Sequence, residues 1–91
     1  MKIKLKDSTE LTVTESSTAT KITADFSSAE EIENFRKKLT DENLSVFRYI
    51  KDDTGEIIGE YKNYTFETVS YLYSEEKSVF KASFNIRQLS N

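Results

Sequence analysis

Apolar and polar residues alternate without interruption over positions 80–87, and no other segment of the 91-residue chain restricts the fold as tightly. Successive side chains of a β-strand point to opposite faces, so a two-residue period predicts a strand with one apolar face. We expect this face to pack on the core, while Lys81 and Asn85 point away from it. The apolar face carries Phe80, Ala82, Phe84 and Ile86.

Shorter segments with β-strand character predict six further strands. The first two flank a polar turn and predict a hairpin. Another polar turn at 52–55 contains Gly55, which is free to take the positive φ that a hairpin loop requires. The strand that precedes this turn has apolar residues on both faces and is expected to be central in its sheet. The six predicted strands cover positions 3–5, 11–13, 20–26, 44–51, 57–61 and 64–73.

One helix is predicted over positions 28–39, directly after the third strand. Ser28 and Glu31 have the spacing of a capping box, in which the two side chains accept hydrogen bonds from free amides at a helix start. Ile32, Phe35 and Leu39 then share one face at spacings of three and four. The helix is therefore expected to cover one side of a sheet.

The order of elements predicts the class α+β. A single domain is expected over residues 1–91, because the length is that of one domain and no change of composition divides the chain. Short turns between strands indicate a mostly antiparallel sheet of seven strands, with the helix inserted after the third. One curled sheet and two stacked layers both fit this pattern. The sequence does not determine the strand order.

The inventory of reactive side chains argues against an enzyme. The chain contains no His and no Cys, which supply the usual general base, thiol nucleophile and zinc ligands. With only Gly55 and Gly59 as glycines, no phosphate-binding loop is present. We therefore predict no catalytic, cofactor-binding or metal-binding residues. Chemistry based on two carboxylates stays open, although the acids cluster in turns and in the first helical turn.

Charge and hydropathy argue against nucleic acid and membrane as partners. The net charge is −3 with the two signs interspersed, whereas sequence-independent nucleic-acid binding needs clustered cations. No apolar stretch has the length of a membrane span. The first residues alternate charged and apolar side chains, unlike the apolar run of a signal peptide. We expect synthesis in the cytoplasm.

Four tyrosines near two neighbouring predicted strands are the candidate partner-binding residues. Tyrosine is enriched in protein interfaces because it combines a large apolar body with a polar tip. The other interpretation is that the helix, the sheet or loops of the same chain cover these tyrosine side chains. Uninterrupted alternation over 64–73 would place Tyr64, Phe66 and Leu72 on one face of the strand and Val69, Tyr71 and Tyr73 on the other. The candidates are Tyr61, Tyr64, Tyr71 and Tyr73.

Several segments together resemble small proteins of Gram-positive phages and prophages. The similarity rests on the Lys-Ile-Lys-Leu-Lys-Asp opening, the Asn-Leu-Ser junction at 43–45, the Gly-Glu-Tyr-Lys-Asn strand at 59–63 and Thr-Val-Ser-Tyr at 68–71. It extends over nearly the whole chain. The resemblance implies a place among tail or baseplate genes, and it assigns no functional residue.

Two hypotheses for function follow. The first is a non-enzymatic structural or assembly protein of a phage tail or baseplate, which contacts tail components or further copies of itself and is built into the particle. The second is a small phage-encoded inhibitor or modulator of a host protein, since a compact acidic domain can bind a basic target.

Overall fold

A computed structural model describes residues 1–90 of the chain. Within this range it contains seven strands and one helix. The class α+β is confirmed, as is the position of the helix directly after the third strand. The elements are β1 (Lys2–Lys4), β2 (Glu10–Thr12), β3 (Lys21–Phe26), α1 (Ala29–Lys38), β4 (Val46–Ile50), β5 (Ile57–Lys62), β6 (Tyr64–Ser74) and β7 (Val79–Gln88).

The strands form two sheets, so the chain adopts the two-layer alternative. The four-stranded sheet has the order β2-β1-β4-β5, and the three-stranded sheet has the order β3-β7-β6. Every neighbouring pair is antiparallel. β1 and β2 form the predicted hairpin, and β4 lies between β1 and β5, which confirms its central position. Gly55 in the β4–β5 turn has the expected positive φ, 72°.

Backbone hydrogen bonds join the two sheets at two places. Asn63 lies between β5 and β6 with φ 63°, and this left-handed conformation bends the chain from one sheet into the other. At the bend the amide of Tyr64, the first residue of β6, donates to the carbonyl of Leu44 at 3.0 Å. At the second place the Thr14 amide donates to the carbonyl of Thr23 at 2.8 Å. The two sheets therefore curve around a shared interior.

That interior is one apolar core to which both sheets and the helix contribute. Phe84 of β7 is fully buried, and its ring centre lies 5.2 Å from that of Phe35 in α1 and 5.9 Å from that of Phe26 in β3. The prediction that the apolar face of β7 packs on the core is confirmed for Ala82, Phe84 and Ile86, which are buried. Phe80, on the same face, is half-buried. The buried apolar residues are Ile3, Leu5, Val13, Ile22, Ala24, Phe26, Ile32, Phe35, Leu39, Leu44, Phe47, Tyr49, Tyr64, Ala82, Phe84 and Ile86.

The helix begins with the predicted cap, although one of its hydrogen bonds is shifted. Ser28 Oγ accepts from the Glu31 amide at 3.2 Å, as in a capping box. The Glu31 carboxylate accepts from the amide and the hydroxyl of Ser27 instead of from the Ser28 amide. These hydrogen bonds hold the pKa of Glu31 below its usual value. The cap fixes the start of α1 and so directs Ile32 and Phe35 into the core.

Candidate protein interface on the distal hairpin

A β-bulge at Glu67 divides the long strand β6 into two parts. Phe66 pairs with Ile86 of β7 and Thr68 pairs with Asn85, so Glu67 is an extra residue without a partner. An extra residue reverses the alternation of side chains for everything that follows it. The prediction that Leu72 shares a face with Tyr64 and Phe66 is therefore wrong, because the bulge moves Leu72 to the opposite face.

The bulge places all the apolar residues of β6 except Leu72 on the face that packs on the core. Val69 pairs with Phe84, and Tyr71 pairs with Ala82, both of which point into the core. Leu72 pairs with Lys81, whose side chain points outward. The core-side face of β6 thus carries Tyr64, Phe66, Val69, Tyr71 and Tyr73.

Exposure rises along this face toward the turn. Tyr64 is 6% exposed, Phe66 and Val69 are half-buried, and Tyr71 and Tyr73 are 46% and 52% exposed. A face that is core at one end is therefore surface at the other. We call residues 68–83, which form this projecting part of β6 and β7 with their turn, the distal hairpin.

Three aromatic rings form the surface of the distal hairpin. The ring of Phe80 lies 5.0 Å from that of Tyr73 and 5.9 Å from that of Tyr71, both in edge-to-face orientation. This packing orders the two tyrosines on the surface without burying them. On the opposite face Leu72 is 80% exposed. The hairpin therefore presents apolar side chains to solvent on both faces, which is typical of a protein interface.

The four candidate tyrosines do not form one surface. Tyr64 is buried and Tyr61 is half-buried, with their ring centres each 5.3 Å from that of Phe47. They belong to the core cluster because the bend at Asn63 turns β5 and β6 around the Phe47 side chain. Tyr64 is thus covered by its own chain and offers no surface to a partner. Tyr61 is partly covered in the same way. Tyr71 and Tyr73 stay accessible. Leu72, which was not among the candidates, is exposed on the opposite face of the same strand.

Tyr49 belongs to the same core cluster and carries its one strongly perturbed hydroxyl. The side chain is buried, and its hydroxyl donates to the carbonyl of Thr18 at 2.7 Å. Burial raises the pKa of Tyr49 above the ordinary value of 10.0, because the charged phenolate would lose its hydration. The neutral form is therefore the one compatible with the fold.

We expect Tyr49 to make the protein sensitive to alkali. Above the ordinary tyrosine pKa of about 10 the unfolded chain releases a proton that the folded chain keeps, so stability falls as pH rises. This group alone contributes a slope of up to about 1.4 kcal/mol per pH unit. Urea unfolding at pH 9, 10 and 11 measures the slope, and Tyr49→Phe is expected to reduce it. Equal slopes for parent and variant would contradict the assignment.

The acidic residues near the helix start serve the helix itself. Glu31 forms the cap described above, and Glu33 forms an ion pair with Arg36 one turn later. Over residues 1–90 no three carboxylates lie close enough together to hold a metal ion. No helix in this part of the chain is long and apolar enough to cross a membrane.

The outer edge of β6 is the backbone edge that faces away from β7. β6 is the end strand of the three-stranded sheet. Among the described residues, no backbone outside β7 hydrogen-bonds to positions 68–74. The amides and carbonyls on this side are therefore free to pair with another strand.

The chain matches no protein-family model, and no similar protein was found among curated proteins or solved structures. The similarity to phage proteins therefore stays a prediction. The exposed apolar side chains of the distal hairpin are the structural feature that points to a function.

Proposed function

We propose that this chain is a non-enzymatic structural or assembly protein of a phage tail or baseplate that works by protein–protein contact through the distal hairpin. The observation that carries the proposal is the half-exposed pair Tyr71 and Tyr73, held in place by Phe80 on a sheet face that is core elsewhere. Ordered aromatic side chains of this kind bind a partner at low entropic cost, since little motion is lost on contact.

Three further features support a contact role over a catalytic one. The sequence contains no His and no Cys. The most strongly perturbed hydroxyl, that of Tyr49, is buried away from the hairpin cluster and satisfied by a backbone carbonyl. The exposed aromatic side chains lie on a β-hairpin, a rigid support that can present them to a protein surface. The resemblance to small phage proteins supports the tail or baseplate as the place of action.

A capture experiment tests this function. The chain is immobilised and exposed to lysate from cells in which a phage or prophage encoding it has been induced, and bound proteins are identified by mass spectrometry. We expect tail or baseplate proteins to be the main proteins bound. If a host enzyme is recovered instead, the result would contradict the assembly role and support the second hypothesis, inhibition of a host protein.

A matched pair of variants connects the capture to the hairpin. Tyr71→Ala with Tyr73→Ala removes the exposed aromatic pair, and we expect a loss of affinity of at least about tenfold, since central interface tyrosines commonly contribute about 2 kcal/mol or more. Ile57→Ala with Ile58→Ala is the control, because these β5 side chains are similarly exposed but lie outside the hairpin. Equal loss in both variants would count against the distal hairpin as the contact surface.

A further inference from the structure

The outer edge of β6 lacks charge over its projecting length. Positions 68–74 read Thr-Val-Ser-Tyr-Leu-Tyr-Ser, which is seven consecutive uncharged residues in a chain of which 32% is charged. The segment contains no Pro and no Gly and is rich in β-branched and aromatic residues. Long uncharged edges of this kind pair readily with a further strand.

The other edge strands differ from this one. Glu10 lies in β2, where Lys2 and Lys4 of the neighbouring strand approach it at 3.7 and 3.9 Å. Asp25 lies in β3 and Glu60 in β5. Charged side chains on an edge oppose pairing with another chain, because they must be desolvated or brought near like charges. Within residues 1–90 the projecting part of β6 is thus the edge best suited to accept a strand.

We propose that two copies of this chain pair through this edge, with β6 of one copy antiparallel to β6 of the other. The result is one sheet of six strands in the order β3-β7-β6-β6-β7-β3, built from two three-stranded sheets. A two-fold axis perpendicular to the sheet makes a strand antiparallel to its own image, so the free amides and carbonyls of one edge meet those of the same edge.

Charge is the reason for choosing a second copy as the occupant. Each copy carries a net charge of −3, so a contact between copies is favoured where the paired strands bring no like charges together. The segment 68–74 meets this condition over its whole length. A contact with a different protein is usually selected by opposite charges placed across the interface, and this edge has none to offer.

Apolar burial adds to the backbone pairing. Leu72, 80% exposed in the single chain, lies on the outer face of β6 and would contact the outer face of the partner strand near the two-fold axis. Tyr71 and Tyr73 would extend the aromatic face across the junction. The inference deepens the proposed function, since it names one partner of the same hairpin.

Sedimentation velocity over a concentration series tests the self-pairing. We expect a reversible monomer–dimer equilibrium in the parent. Leu72→Lys places like charges near the two-fold axis and should weaken dimerisation by at least about tenfold. Ile57→Lys is the matched control, since it adds the same charge at an exposed leucine-sized side chain on β5 and should leave dimerisation unchanged. Both positions are exposed, and circular dichroism melts verify that each variant remains folded.

Hydrogen exchange gives the second measurement. Alternate amides within 68–74 should become protected as concentration rises in the parent and should stay unprotected in Leu72→Lys. A parent that remains monomeric at every concentration, or a dimer whose 68–74 amides stay unprotected, would overturn the self-pairing. Capture of tail proteins by a strictly monomeric chain would overturn the self-pairing alone, whereas a dimer that captures none would oppose the tail function alone.

Discussion

Phe84→Ala is expected to lower the free energy of unfolding by about 3–5 kcal/mol. The Phe84 ring is fully buried and contacts Phe26 and Phe35, so its removal leaves a cavity where β7, β3 and the helix meet. A small domain is held folded by only about 5–15 kcal/mol in total. The variant should therefore be largely unfolded or melt far below the parent, as measured by circular dichroism and urea titration.

Two neighbours of Phe84 on the same strand serve as controls. The Lys81 side chain is exposed, and Asn85 lies on the same outward face, where it donates to the hydroxyl of Thr68 at 3.1 Å. Their replacement by Ala should change stability by only about 0.5–1 kcal/mol. Similar effects at all three positions would contradict the assignment of an inner and an outer face to β7.

Phe47→Ala should cause a loss of comparable size, about 3–5 kcal/mol, from the other side of the core. Phe47 lies in β4, is almost fully buried, and contacts the rings of Tyr49, Tyr61 and Tyr64. Its removal takes away the ring around which the bend between the sheets is packed. Tyrosine fluorescence should change together with the loss of stability, because three of the five tyrosines line the cavity.

Arg48→Ala is the matched control for this variant. Arg48 is next to Phe47 in the chain but is exposed, and it pairs with Glu60 across the sheet at 2.6 Å. Exposed ion pairs contribute about 0–1 kcal/mol, so a small effect is expected. If fluorescence and circular dichroism followed separate transitions in Phe47→Ala, the two sheets would not share one cooperative core.

Local patterns were sufficient to predict most elements of this fold. The alternation over positions 80–87 predicted β7, and the spacing of Ser28 and Glu31 predicted the start of the helix. Both signals depend on interactions between residues close in the chain. The order of the strands could not be predicted from these local patterns. Strand pairing joins segments far apart in the chain, and any strand with one apolar face can pair with several others.

The candidate interface could be predicted only in part, for a reason that lies in β6. The apolar residues Tyr64 and Phe66 occupy even positions, whereas Val69, Tyr71 and Tyr73 occupy odd ones. This change of phase is the trace of the bulge at Glu67, and it explains why one face carries all five side chains. The sequence contains no equally direct sign of which tyrosines are exposed, because exposure depends on which segments distant in the chain pack over each ring.

The pairing of β3 with β7 has a consequence for synthesis on the ribosome. Phe26 pairs with Phe80, and α1, β4, β5 and β6 all lie between them in the chain. The nascent chain cannot close the three-stranded sheet, or bury Phe84 at its centre, until β7 has left the exit tunnel. Until then the apolar face of β3 and the core-side apolar face of β6 are both unprotected, and these are the segments that a chaperone would recognise on the growing chain.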